Sequence, residues 1–382
     1  MSKIDDLIKE LCPNGAEFLD LVDCASIKRG KRVTKSDLDQ SAPFPVYSGG
    51  IKPMGYYHTY NQSKNTITVV KYGTAGFVNF IKEDFWANDV CYCVIPKKSL
   101  INKYLYYVLK NQEDYIKSQA TDAIPAHLPT DVICSIKIPV PPLEVQKEIV
   151  RVLDSFAELE AELEAELEAR KKQYEYYRDT LLTFNERESK IDDLIKKLCP
   201  DGVRFVCLDE VANLRRGSAI TKKNIIPGDV PVVAGGQKPA YFHSESNRGA
   251  NAVVVAGSGA YAGFVSFWSV PIFVSDAFSI EPLGGEVISK YIFYILKNRQ
   301  AELHNLKRGS GVPHVYSRDV ARWKIPVPPL EKQKQIVSIL DKFDALVNDI
   351  STGLPAEIEA RRKQYEYYRN KLLTFKELEC SK

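Results

Sequence analysis

The chain has 382 residues, 45% hydrophobic and 26% charged, with a net charge of +3 and eight cysteines. That is enough apolar sequence for two domains of ordinary size, each with its own core. The cysteines form no regular ladder, there is no signal peptide, and no apolar run approaches membrane length, which excludes a disulfide scaffold and a helical membrane protein and points to the cytoplasm.

The chain is written twice. SKIDDLIKELCPNG at Ser2 returns as SKIDDLIKKLCPDG at Ser189, and PVPPLEVQKEIVRVLDSF at Pro139 returns as PVPPLEKQKQIVSILDKF at Pro326. Both pairs are offset by 187 residues, so a whole half is duplicated, and a period that long is a domain, not a solenoid unit. Residues 379–382 (ECSK) run up to the point where a third copy would begin, because ESK at Glu188 opens the second. The expectation is a pseudo-twofold object whose termini meet.

After its LCP segment each half enters a basic turn. Lys28, Arg29, Gly30, Lys31, Arg32, Val33, Thr34 and Lys35 are answered by Arg215, Arg216, Gly217, Ser218, Ala219, Ile220, Thr221 and Lys222, with Lys223 following. FPVYSGGIKP at Phe44 and VPVVAGGQKP at Val230 carry strand and turn signals with Gly-Gly at the same place. ITVVKYGTAGFVNF at Ile67, containing Lys71 and Tyr72, answers VVVAGSGAYAGFVSF at Val253, and both read as β-rich runs joined by a glycine turn. The glycines at 257, 259 and 263 imitate a nucleotide loop, but their spacing is wrong and residues 264–268 read as strand, so a tight β turn is expected. KYLYYVLKN at Lys103 and KYIFYILKN at Lys290 are helix candidates, each followed by a loop that carries His127 or, with Lys307 and Arg308 before it, His314.

Residues 143–185 hold no Gly or Pro, and apolar or Tyr positions recur every 3.5 residues on average, from Ile149 and Leu153 to Tyr174, Tyr177, Leu181 and Phe184. That is the period of a helix that keeps one seam on a partner helix, roughly 64 Å long at 1.5 Å per residue. The second copy follows it through Ile350 and resumes at Ile358, Tyr365, Tyr368, Leu372 and Phe375 with the offset changed from 187 to 191. The four extra residues coincide with Ser351, Thr352, Gly353, Leu354 and Pro355, where a break is expected. The simplest arrangement pairs the two long elements antiparallel. Ala157 opens AELEAELEAELE, a four-residue unit written three times, either a solvated helix face or a ruler in which each unit adds about 6 Å and rotates the remaining turns by only about 40°.

The charge is unevenly divided: residues 1–142 carry +2, residues 189–329 carry +6 and the rest −5, so acidic helices mask a basic excess in the globular parts. The basic turns around Arg29 and Arg216 suit phosphate or a guanine edge, or are simply solvated. His127 and His314 have no Ser or Cys with a carboxylate in catalytic arrangement, which leaves positioning on DNA or a satisfied loop histidine. Cys91 and Cys93 have poor zinc spacing, and Cys12 and Cys199 read as structural thiols, so no metal site is expected. The tyrosines at 174, 176, 177, 365, 367 and 368 sit at helical spacing and favour packing between helices or subunits over base stacking.

In their order and their duplication, these segments resemble the specificity subunit of type I restriction-modification enzymes. The carriers are RGxx(V/I)T, PVxxGG, AGFV and PPLExQKxIV in both halves, with RKKQYEYYRDTLLTF repeated as RRKQYEYYRNKLLTF and four-residue AELE repeats like that family's spacers. The resemblance implies an α+β chain with two tandem, pseudo-twofold-related target-recognition domains (1–142 and 189–329) joined by two long antiparallel coiled-coil helices. These are a central spacer helix (143–188) and a C-terminal one (330–382) broken near 351–355. It further implies a non-catalytic subunit that reads a bipartite, gapped target in double-stranded DNA, one half per domain. The helices would bind two methyltransferase subunits through Tyr174, Tyr177, Leu181, Tyr365, Tyr368 and Leu372, and a restriction-translocase subunit could join. S-adenosylmethionine, ATP and Mg would belong to those partners, with no cofactor on this chain. The candidate DNA contacts are Lys28, Arg29, Lys31, Arg32, Lys35, Lys71, Tyr72 and His127 in the first domain, and Arg215, Arg216, Lys222, Lys223, Lys307, Arg308 and His314 in the second. A coiled-coil interaction scaffold that never touches DNA is the alternative; it explains the duplication but not the matched basic turns.

Overall fold

The computed structural model describes residues 2–182, 184, 202–309 and 311–378. The second copy of the opening segment through Asp201, with Cys199, and the closing ECSK lie outside the described residues. The chain divides into two compact units that do not follow its order: Met1–Leu163 with Ile358–Lys382, and Glu164–Glu357.

In the first unit, β1 (Glu17–Asp20) leads into β2 (Ala25–Arg29), β3 (Phe44–Tyr47), β4 (Gly55–Tyr57), β5 (Thr66–Val70), β6 (Val78–Ile81), β7 (Trp86–Ala87), β8 (Cys91–Pro96) and β9 (Lys137–Val140). A four-stranded antiparallel sheet runs β2-β8-β5-β6, a three-stranded one runs β4-β3-β7, and β1 pairs with β9. The runs TITVV and CYCVIP are almost continuously apolar because those strands are covered on both faces. The helix Asn102–Asn111 lays Tyr104, Leu105, Val108 and Leu109 on that sheet at helical spacing.

The second unit repeats the plan with β10 (Arg204–Cys207), β11 (Ala212–Arg216), β12 (Val230–Val233), β13 (Tyr241–His243), β14 (Ala252–Ala256), β15 (Val265–Trp268), β16 (Phe273–Val274), β17 (Ala277–Pro282) and β18 (Lys324–Val327). Its sheets run β11-β17-β14-β15, β13-β12-β16 and β10-β18, the same orders strand for strand. The Gly257–Gly263 stretch is the hairpin between β14 and β15, with Gly259 and Gly263 at φ +82° and +83°. No helix follows it, so it is the tight β turn the sequence suggests.

Leu143–Leu182 is one unbroken helix of 40 residues, about 60 Å of rise. Its counterpart is two helices, Leu330–Asn348 and Leu354–Leu373. At the break Asp349 accepts from the hydroxyls and backbone N–H groups of Ser351 and Thr352, which holds its carboxyl well below the usual range. A side chain on Gly353 would sit 2.5 Å from the Ala345 carbonyl oxygen, so the turn needs glycine.

The two copies exchange their late helical turns. In the first unit Phe156 packs on Tyr365 and Tyr368, at 6.5 and 5.4 Å between ring centres, and Arg362 reaches Glu160 at 2.6 Å. These pairs run in opposite directions along the two helices, which is antiparallel packing. In the second unit the equivalent Phe343 packs on Tyr174 and Tyr177 at 6.3 and 5.3 Å. Arg369 donates to Asn111 at 3.0 Å in the first unit, and Arg178 to Asn298 at 2.7 Å in the second.

The beginning and end of the described chain also meet, in the first unit. Ala16 donates to the Lys376 carbonyl at 2.9 Å, Leu378 donates to that of Ala16 at 3.1 Å, and Lys371 pairs with Asp5 at 2.9 Å. Gly15 makes the closure possible, with φ at +108° and room for no side chain: a Cβ would lie 2.1 Å from the Lys376 oxygen. Gly15→Ala is expected to cost the first unit about 2 kcal/mol through strain and the lost pairing. A lowered thermal midpoint with the second unit's hydrogen exchange unchanged is the expected result.

Candidate nucleic-acid interface

Strand register gathers the basic turn, the glycine turn and the histidine loop at one end of each four-stranded sheet. In the first unit Arg29 at the end of β2 lies opposite Tyr92, and Val69 and Val70 at the end of β5 lie opposite Tyr92 and Cys91. The loops that leave β2, leave β5 and enter β8 therefore emerge together. The second unit does the same with Arg216 opposite Phe278 and with Val255 and Ala256 opposite Phe278 and Ala277.

Two glycines and an asparagine hold each cluster. A Cβ on Gly30 would lie 2.2 Å from the Ala87 oxygen, and one on Gly217 2.1 Å from the Ser275 oxygen, so the basic turn can cross the short strand only without a side chain there. Gly49 and Gly235 are pressed in the same way against Tyr72 and Ser258. Asn61 pairs both ways with the Ala87 backbone, at 2.9 and 2.7 Å, as Asn247 does with Val274 at the same two distances.

On this frame Lys28, Arg29, Lys31, Arg32 and Lys35 are exposed, and Arg29 donates to the Asp89 carbonyl at 3.1 and 3.3 Å. Lys71 lies 5.3 Å from the ring centre of Tyr72, which stacks on His127 at 5.5 Å, while Thr121 meets His127 Nδ1 at 2.7 Å. His127 is thus a half-buried member of the loop with its Nδ1 already engaged, and its neighbour Tyr72 is joined to it by a backbone bridge.

In the second unit Arg216, Asp276, His314, Tyr316 and Arg318 line one cleft of about 170 Å³. Arg216, Lys222 and Lys223 are exposed, and His314 stacks on Tyr316 at 6.0 Å. Ser258 gives its hydroxyl to Asp276 and meets His314 only through the backbone, so the serine, histidine and carboxylate do not form a nucleophile–base pair. Three sequence candidates prove to be engaged within the chain. Arg215 pairs with Glu281 at 3.1 Å, Arg308 with Asp319 at 3.5 Å, and Lys307 donates to the Ala260 carbonyl at 2.9 Å. Their charge contributes to the local field, but their donors are partly spent.

Arg248 is a residue that the sequence did not single out. Its side chain is buried and donates to Ser279 at 2.6 Å, to the Asn247 carbonyl at 2.7 Å and to the Arg215 and Arg216 carbonyls at 3.3 and 2.9 Å, with Glu281 at 3.0 Å. It pins the backbone of the basic turn from below. Gln62 stands at the equivalent strand bridge in the first unit, so no repeat signal marks it.

The helical candidates need correction. Tyr174, Leu181 and Leu372 are buried in the cores of their own units, and Tyr177, Tyr365 and Tyr368 are half-buried against Phe343 and Phe156. Their seam is satisfied inside this chain and offers a partner little. Burial likewise pushes the Cys91 and Cys93 thiols up to about 12, and among the described residues no group of His, Cys, Asp or Glu could hold a metal ion.

The profile of the type I restriction modification DNA specificity domain matches this sequence twice, over residues 13–169 and 200–360. The chain belongs to that family. It is a specificity subunit of the type I restriction-modification class with two tandem recognition domains. It is 32% identical over 377 residues to a putative type I restriction enzyme specificity subunit of Haemophilus influenzae, covering 91% of this chain and 92% of that one. It is also 32% identical over 306 residues to the EcoR124I/EcoR124II specificity subunit of Escherichia coli, covering 72% and 70%. In fold it resembles the crystal structure of a type I restriction-modification S subunit from M. genitalium, with a TM-score of 0.71 at 20% identity over 94% of this chain and 96% of that one. No helix among the described residues is long and apolar enough to cross a membrane. In this specificity subunit Arg248→Met would leave Glu281, Ser279 and three carbonyls without their buried donor, an expected loss of about 3 kcal/mol. Thermal unfolding should show it, and Arg248→Lys should recover only part of it.

Proposed function

We propose that each recognition domain reads one half of a bipartite, gapped target in double-stranded DNA, and that the helices between them fix the gap and dock two methyltransferase subunits. The observation that carries this reading is the repetition of one loop cluster with different side chains on it. Both sheets present a basic turn, a glycine turn and a histidine loop at the same end, but one offers Lys31, Arg32, Lys71 and Tyr72 where the other offers Ser218, Ala219, Gly257 and Ser258. Equal scaffolds with unequal tips suit two unlike half-sites, with the phosphate contacts setting position and the tips setting sequence. The matched basic turns also favour this over an interaction scaffold that ignores DNA.

The chain acts without catalysis of its own in this reading. Base extrusion, methyl transfer from S-adenosylmethionine and any ATP- and Mg-dependent translocation belong to partner subunits in the cytoplasm, and a restriction subunit can join them. Docking falls to the outer helix face instead of the buried seam. Tyr176 and Tyr367 occupy equivalent positions, 54% and 62% exposed, and Lys172, Glu175 and Lys363, Glu366 flank them identically on the same exposed face. Two identical patches suit two copies of one partner, with tyrosine as the anchor.

Single-molecule sequencing of host DNA with the gene intact and deleted tests the reading. Loss of one gapped, two-part adenine-methylation motif is expected, and an unchanged methylome would overturn it. Deleting one AELE unit should shorten the gap by at most about two base pairs and leave both half-sites intact. Tyr176→Ala and Tyr367→Ala together should weaken capture of the methyltransferase subunit at least about tenfold, since aromatic anchors of this kind dominate interfaces; pull-down titration with the purified complex measures it.

A further inference from the structure

The long helix cannot act as a ruler unless each recognition domain is fixed to it at a set angle. A spacer of defined length that swivels at its ends would accept several gaps. The joint between domain and helix is therefore as much a determinant of spacing as helix length is, and the chain builds the same joint twice.

At the first turn of Leu143–Leu182, Gln146 is fully buried. Its Oε1 accepts from the Ile101 backbone at 2.8 Å, and its Nε2 donates to the Ser99 and Pro141 carbonyls at 2.9 and 2.8 Å. Gln333, also fully buried at the first turn of Leu330–Asn348, accepts from Ile288 at 2.9 Å and donates to the Glu286 and Pro328 carbonyls, both at 2.8 Å. Every partner is displaced by the same 187 residues. One amide thus ties three segments: the helix itself, the proline turn before it, and the loop that starts the domain's helix Asn102–Asn111 or Ser289–Asn298.

A second tie lies two turns further on. Asp154 accepts from Tyr107 at 2.5 Å and pairs with Lys103 at 2.7 Å; Asp341 accepts from Tyr294 and pairs with Lys290 at 3.0 Å. Gln146 and Asp154 are eight residues apart, about 12 Å along the axis. One attachment lets a rod swivel; two separated along it fix direction and rotation together.

We propose that Gln146 with Asp154, and Gln333 with Asp341, are gap-specificity residues: they lock the angle at which each recognition domain rides on its helix, and so make the complex reject targets whose half-sites are one base pair too near or too far. The proposal rests on the reading of the chain as a bipartite DNA reader. None of these four side chains belongs to the proposed DNA-contacting loops, so loosening them alters spacing tolerance and leaves base choice alone.

The test uses the complete complex with its methyltransferase subunits. Its substrates are duplexes that carry both half-sites at the native gap and at one base pair more or less, backed by methylome sequencing in cells. Tyr107→Phe with Tyr294→Phe removes two hydroxyls and keeps the packing; Gln146→Met with Gln333→Met removes the first tie. The expected result is that preference for the native gap falls about tenfold per joint loosened, the scale of one buried hydrogen-bonded tie, while both half-sites stay the same. A full native preference in the Tyr→Phe double variant, methylating the native site at the normal rate, overturns the proposal even if the glutamine variant does not fold. Altered half-site bases at an unchanged gap overturn it as well. Failure of the underlying reading shows separately, as a wild-type complex with no gapped motif at all.

Discussion

The rest of the structure depends on a swap of aromatic cover. Phe156 and Phe343 hold equivalent places near the start of the two helical segments, and each is packed by tyrosines from the other copy's late turns. An aromatic side chain buries 150–250 Å² when covered, so leaving these rings to water would expose the largest apolar surfaces on the seam. With this swap go the antiparallel direction of the paired helices and compact units that divide across the sequence instead of along it.

Much of this was written plainly in the sequence. The 187-residue offset, the seam of period 3.5 and the Gly-Pro signal near 353 correspond to the doubled plan, the unbroken helix Leu143–Leu182 and the break after Asn348. What could not be read was which way a helical tyrosine points. Tyr174, Tyr176 and Tyr177 are adjacent in the chain, and a seam that serves an internal partner has the same period as one that serves an external partner. Periodicity found the seam and its internal helical partner; the docking role that the resemblance put on Tyr174, Tyr177, Tyr365 and Tyr368 fell on side chains which that same pairing covers. Tyr176, off the seam, is the residue left exposed.

The candidate interface was legible in part for a similar reason. Repetition exposes whatever both copies share, and so it revealed the basic turns, the glycine pairs and the two histidines. It is silent where the copies differ. Arg248 braces the turn that carries Arg216, but its counterpart is Gln62, and a lone arginine in a polar stretch looks solvated until its five donors are traced. The buried scaffold is held constant by backbone contacts that tolerate no side chain, at Gly30 and Gly217 above all, while the exposed tips are free to diverge. One fold can therefore host many readers without losing its frame.

The closure of the first unit has a consequence for how the protein is made. The residues between 358 and 378 that cover Phe156 and pair with Ala16 are synthesised after the whole of 164–357. The first recognition domain thus leaves the ribosome with Phe156 still without its tyrosine cover, while the core residues described for the second unit all lie before residue 358. Order of translation and order of completion are inverted: the later half can mature first, and the earlier half waits until its own last helix arrives.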